Sequence, residues 1–197
     1  IERLMVPQGE MNFHQFKRVA ELAEQYGDKF VYTTNRQNLE IHGVDPAKAP
    51  RLREEIEAIG FGAKHFFGLD DIVPCVGVTY CPLAVTRTRD LCDLLRPVVA
   101  EPKYDSIRDA AIVNITGCPN ACSPYLIADI GFRGLRIREK LGSVEGYRLA
   151  LGGREDRFGE AVAELKAEDC AAAARAILDA FLDLRQNGET LSSNVER

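Results

Sequence analysis

The chain has 197 residues, enough for one large or two small domains with proper cores, and its 46% hydrophobic and 28% charged content is ordinary for a globular protein. A net charge of −5 argues against nucleic-acid or membrane-surface partners, and no apolar run approaches the about 18–20 residues of a membrane span. With no signal-peptide core at its start, six cysteines imply a reducing compartment, and the cytoplasm is the expected location.

In chain order, Arg3 to Val6 reads as a strand broken by Pro7 and Gly9. Asn12 is placed to cap a helix whose apolar residues Phe13, Phe16, Val19, Ala20, Leu22 and Ala23 fall at helical spacing, with Gly27 as a left-handed stop. Phe30–Thr33 and Leu39–Ile41 are predicted as strands around a Thr34–Asn38 turn. Asp45-Pro46 is expected to open a helix running to Gly60. Together these give a β-α-β-β-α unit. Read alone, Asn35 to Asn38 is a polar turn.

After a connector over 61–74, a helix is expected from Pro82 through Leu83, Val85, Leu91, Leu94 and Leu95, ending before Pro97. Arg87 and Arg89 on its first turns read as solvated charges. Residues 97–109 look the most flexible. Ala111–Ile115, Ile127–Phe132 and Tyr147–Leu151 read as strands, and Ala161 onward as an amphipathic helix to Leu184. Cys92 and Cys170 are expected to be small core residues. Arg133 and Arg136 face either solvent or an anionic group.

The four remaining cysteines form Cys75-x5-Cys81, a 36-residue spacer, and Cys118-x3-Cys122. Two close thiol pairs suit a metal centre, since each short loop brings two ligands to one corner. Zinc knuckles usually pair cysteines two to four residues apart, so the five-residue gap is wide for zinc. Disulfides belong to small secreted scaffolds, which nothing here suggests. On spacing an iron–sulfur site leads, with zinc the open alternative. Cys81-Pro82 and Cys118-Pro119 are both expected to start helices, whose N-terminal field would stabilise a thiolate cluster.

Cys75-x5-Cys81-Pro82-Leu83-Ala84, then Asn114-x-Thr116-Gly117-Cys118-Pro119-Asn120-x-Cys122, resembles the cluster-binding half of the sirohaem-dependent nitrite and sulfite reductases. Upstream, Val6-Pro7-Gln8-Gly9-Glu10 and Thr34-Asn35-Arg36-Gln37-Asn38-Leu39 are similar to that family's ferredoxin-like half-domain. Ile127 to Phe132, Leu151-Gly152-Gly153 and the tail from Gly188 follow in family order.

The resemblance implies an α+β chain. A ferredoxin-like half-domain (β-α-β-β-α) over 1–68 would precede an α/β cluster-binding domain over 69–197, with a mixed sheet flanked by helices. It implies a [4Fe-4S] cluster on Cys75, Cys81, Cys118 and Cys122, with Cys122 also bridging to sirohaem iron. Gln37, Asn38 and Asn120 are implied as cofactor contacts. The implied reaction is six-electron reduction of sulfite to sulfide or nitrite to ammonia, with Cys81-Pro-Leu-Ala leaning to sulfite. The family's other half, which carries most of the cationic active-site residues, has no copy here. The chain therefore reads as a C-terminal portion, inactive alone and prone to self-association. Its expected partners are that other half and a donor such as ferredoxin or a flavoprotein. The alternative is an iron–sulfur electron-transfer or assembly module without sirohaem. One departure stands out: many members carry glycine after the fourth cysteine, where this chain has Ser123-Pro124-Tyr125.

Overall fold

A computed structural model describes residues 1–196 and divides the chain into two compact units, Ile1–Phe66 and Phe67–Arg197. The first contains β1 (Glu2–Leu4), α1 (Phe13–Tyr26), β2 (Tyr32–Thr33), β3 (Leu39–Ile41) and α2 (Ala49–Ala58). Its antiparallel sheet has the order β1-β3-β2. Leu39 and Ile41 face the core while Glu40, between them, faces away, as the two-residue period of a strand demands. Leu4, Val19, Leu22, Ala23, Leu52 and Ile56 complete that core. On the sheet's other face Glu40 pairs with its register partner Arg3.

Asn12 caps α1 as the sequence indicates. Its side chain accepts from Gln15 N–H at 3.0 Å while Gln15 Oε1 accepts from Asn12 N–H at 2.9 Å, a reciprocal box contributing about 1 kcal/mol. Gly27 differs from expectation, since its φ of −118° is not left-handed. Space decides there: a Cβ would lie 2.4 Å from Ile41 Cγ2.

The second unit contains β4 (Val73–Pro74), α3 (Gly77–Tyr80), α4 (Thr88–Val99), β5 (Val113–Thr116), β6 (Ile130–Glu139), β7 (Gly142–Leu151), β8 (Glu160–Lys166), α5 (Cys170–Leu184) and α6 (Leu191–Val195). Five strands run in the order β4-β5-β6-β7-β8. β4, β5 and β6 are parallel, and β6, β7 and β8 antiparallel. The α+β class is therefore as the sequence implies, with a mixed sheet and flanking helices.

Leu91, Leu95 and Val98 of α4 and Ala174, Leu178 and Phe181 of α5 pack on Val113, Ile115, Ile130, Phe132, Tyr147 and Leu149. Cys92 and Cys170 lie fully buried in this core, and burial pushes their thiols up to about 11 and about 12. No described helix is long and apolar enough to cross a membrane.

Three element readings are corrected here. Residues 82–87 form turns, and the helix begins at Thr88 and runs past Pro97. Pro97 is exposed in its last turn, so one missing bond costs less than burying Val98 and Val99 returns. Residues 102–107 form a 3-10 turn with Tyr104 and Ile107 buried, not a flexible loop. Residues 160–166 form strand β8, because Ala163 and Leu165 pack on the core with a period of two and β7 supplies the partner.

Candidate functional site

Parallel pairing of β4 and β5 points both strands the same way, so the chain leaves both at one end of the sheet. Cys75 directly follows β4, and its N–H extends the ladder to Ile115 carbonyl at 2.8 Å. Cys118 lies two residues past β5. The two cysteine loops thus emerge side by side although 36 residues separate them in sequence. All four thiols are free: Cys118 is buried, Cys75 and Cys81 are half-buried, and Cys122 is exposed.

The loops are keyed together by backbone. Gly117 N–H donates to Cys75 Sγ at 3.1 Å, Val85 N–H to Gly117 carbonyl at 2.9 Å, and Thr88 Oγ1 to Cys75 carbonyl at 2.5 Å. Such close stacking excludes side chains. A Cβ on Gly117 would stand 3.1 Å from Ala84 Cβ, and one on Gly134 2.6 Å from Gly117 carbonyl.

Neither Cys-Pro step starts a helix. Cys81 follows the C-terminus of α3, and Cys118-Pro119 enters a turn. The hydrogen bond to sulfur comes instead from the backbone leaving β5, a signal the cysteine spacing does not contain.

Polar groups collect beside the loops. Val113 and Ile115 face the core, so Asn114 and Thr116 face the other side of the sheet. Thr116 pairs in register with Arg133, and Thr116 Oγ1 and Arg133 Nε are both buried without a hydrogen-bond partner among the described residues. Buried groups left open in this way call for a ligand or water. Apolar groups collect there too, with Val76, Val78, Tyr80 and Leu83 all exposed on the first loop.

The charged residues resolve differently. Arg87 is clasped by Glu145 through its N–H at 2.9 Å and its guanidinium at 2.8 Å. Arg136 donates to Ser143 carbonyl at 2.5 Å, and Arg89 lies over the Tyr80 ring at 5.1 Å.

Among the described residues no group of three or more His, Cys, Asp or Glu is gathered to hold a metal ion. One zinc would need four sulfurs at about 2.3 Å from a single centre, whereas an iron–sulfur cluster is bound through several irons.

Asn120 lies exposed in the turn between Cys118 and Cys122. Gln37 and Asn38 belong to the first unit. Asn38 is buried, and its Oδ1 accepts from Val6 N–H at 3.0 Å, which pins the residue after Met5 to the turn. Gln37 occupies a left-handed position, φ +63°, with its side chain against Gly9.

Residues 3–59 match the nitrite/sulfite reductase ferredoxin-like half domain. The chain is 32% identical over 184 residues to sulfite reductase (ferredoxin) 1 of Mycolicibacterium paratuberculosis, covering 89% of this chain and 33% of that protein. It is also 32% identical over 152 residues to the chloroplastic ferredoxin–nitrite reductase of Oryza sativa subsp. japonica, covering 77% of this chain and 25% of that one. The solved structure of Mycobacterium tuberculosis NirA protein superposes with a TM-score of 0.85 at 27% identity, covering 99% of this chain and 37% of that chain. The chain spans only about a quarter to a third of the length of the curated relatives described here. Residues 3–59 thus belong to the nitrite/sulfite reductase ferredoxin-like half-domain family, and the chain as a whole has the fold of the matched part of the NirA structure.

Proposed function

We propose that this chain is the cluster-holding portion of a reductase acting on sulfite or nitrite, with Cys75, Cys81, Cys118 and Cys122 as ligands of a [4Fe-4S] cluster. The observation that carries the reading is the emergence of both cysteine pairs from neighbouring parallel strands, with a backbone N–H already on one sulfur. The donor set fits: four free thiols are soft ligands for iron, and Gly117 N–H would stabilise the Cys75 thiolate. The apolar residues of the first loop would limit water around an anionic group.

The family uses sirohaem with [4Fe-4S], and when bound these would supply the electrons and the anion-binding iron for a six-electron reduction. Cys122, the most exposed of the four cysteines, is the one we propose would also contact the sirohaem. Gln37, Asn38 and Asn120 are carried forward as polar contacts to sirohaem. Relatives named for each substrate match at the same 32% identity, so the proposed substrate class is the small oxyanion, sulfite or nitrite. The proposed partners are the remainder of a longer reductase and a one-electron donor such as ferredoxin or a flavoprotein.

Elemental analysis and absorbance after anaerobic purification test the reading. Iron and labile sulfide, with Soret and red bands when sirohaem is supplied, are expected. Iron and sulfide with no such bands would make the chain an electron-transfer module. Zinc without iron would overturn the proposal.

A further inference from the structure

We infer that Ser123 is a positioning residue for the proposed cluster, its hydroxyl latching the second cysteine loop to the strand that carries the first. The inference rests on the reading above, that the four thiols hold iron. Ser123 directly follows Cys122, yet Cys122 is exposed and Ser123 is 1% exposed. Its Oγ donates to Val73 carbonyl at 2.7 Å, fifty positions away in the chain. The next residue is held as well, since Asn114 Nδ2 donates to Pro124 carbonyl at 3.0 Å.

Val73 and Asn114 are register partners in the ladder of β4 and β5, so both latch bonds end on one rung of the sheet. Cys75 lies two residues beyond Val73, and Cys118 four beyond Asn114. One rung therefore sets the position of three ligands. The loop is held at one end by buried Cys118 and at the other by Ser123, with Pro119 to Cys122 between these anchors. Precision of about 0.5 Å in a ligand demands such support. Without the hydroxyl, the side of the loop after Cys122 is tethered to this rung through Asn114 alone. A looser loop admits water to the thiolates, which stabilises an added electron and opens the site to chelators.

The test uses the full chain reconstituted anaerobically with iron and sulfide. Ser123→Ala should lose iron to a chelator about tenfold faster than wild type. Its potential should rise enough to change the reduced-to-oxidised ratio about tenfold at fixed potential, about 59 mV for one electron. Ser123→Thr keeps the hydroxyl and should stay near wild type in both. A merely structural serine would lower the melting temperature of the metal-free chain and leave the potential unmoved, which would overturn the inference. If Ser123→Ala fails to fold, Asn114→Ala, which cuts the second latch bond of the same loop, should shift both readouts in the same direction. Equal values there would also overturn the inference. A wild-type chain that takes up no iron overturns the cluster reading and this inference with it. Iron-loaded wild type and Ser123→Ala with identical readouts overturn the inference alone.

Discussion

The two units differ in how many of their buried polar side-chain atoms the protein itself satisfies. In the first, Glu2 is buried but held by Arg53 through bonds of 2.6 and 2.8 Å, and buried Asn38 binds Val6 N–H. Arg18 and Tyr26 meet on Glu55, whose carboxyl is held below its usual range, chiefly by the Tyr26 hydroxyl. In the second, Thr116 Oγ1, Asn114 Oδ1 and Arg133 Nε are buried and open on the sheet face away from the helices. Leaving a buried donor or acceptor unmade costs about 1–3 kcal/mol each. A fold tolerates that cost where something else completes the set. By this criterion the sheet face beside the cysteine loops is the strongest support for the proposed site.

The largest effect expected from this contrast is loss of metal. Cys118→Ser, in the second unit's loops, should abolish iron uptake after reconstitution, because serine is a poor substitute for a soft thiolate. Cys170→Ser in the core should keep iron and lose only stability. Iron bound by Cys118→Ser at wild-type stoichiometry would break the contrast.

Next in size is Asp129→Ala. The buried Asp129 carboxylate accepts from Ile112 N–H at 2.7 Å, Ser192 N–H at 2.8 Å and the Ser192 hydroxyl. Burial raises its pKa, and these donors partly offset that rise. Removing it strands them, and urea unfolding should show a loss of about 3 kcal/mol confined to the second unit.

Alkaline pH probes the same core. Burial keeps Cys92 and Cys170 protonated in the folded chain up to about 11 and about 12, whereas the unfolded thiols ionise near 9.0. The unfolded state therefore binds fewer protons in that window. Stability present below about pH 9 should fall as pH rises through 11 to 12. Chemical unfolding at pH 8 and pH 11 measures the fall, which the double variant Cys92→Ala, Cys170→Ala should flatten. The smallest effect is expected in the first unit. Asn38→Ala frees Val6 N–H and should cost about 1 kcal/mol there, while iron taken up on reconstitution with iron and sulfide alone stays unchanged.

Much of this was legible in the sequence where the signal is local. The order of elements in the first unit follows from Asn12, the 13–23 periodicity and the polar turn, all within a few residues of what they control. The four cysteines announce themselves by spacing. What escaped depends on partners far along the chain. Strand β8 is made of Ala, Val, Glu, Leu and Lys, mostly good helix formers, and becomes a strand because β7 lies beside it. Ser123 and Asn114 look like any polar pair until the register of β4 and β5 sets Val73 beside Asn114. The Cys-Pro steps misled for a related reason. Proline permits a helix start, but the crossing of Gly117 and Val85 leaves the chain no room to begin one.

The parallel pairing of β4 and β5 also dictates an order of events during biogenesis. A two-residue strand has little stability of its own, and a parallel partner is reached only through a long crossover, so this contact forms late. Until then a nascent chain offers one thiol pair at a time, with 36 residues between them. Metal cannot nucleate this domain as it does a zinc finger, whose ligands are near neighbours. If the proposed cluster is held here, a delivery system for iron would meet a sheet already assembled, with Cys122 the most exposed of the four cysteines.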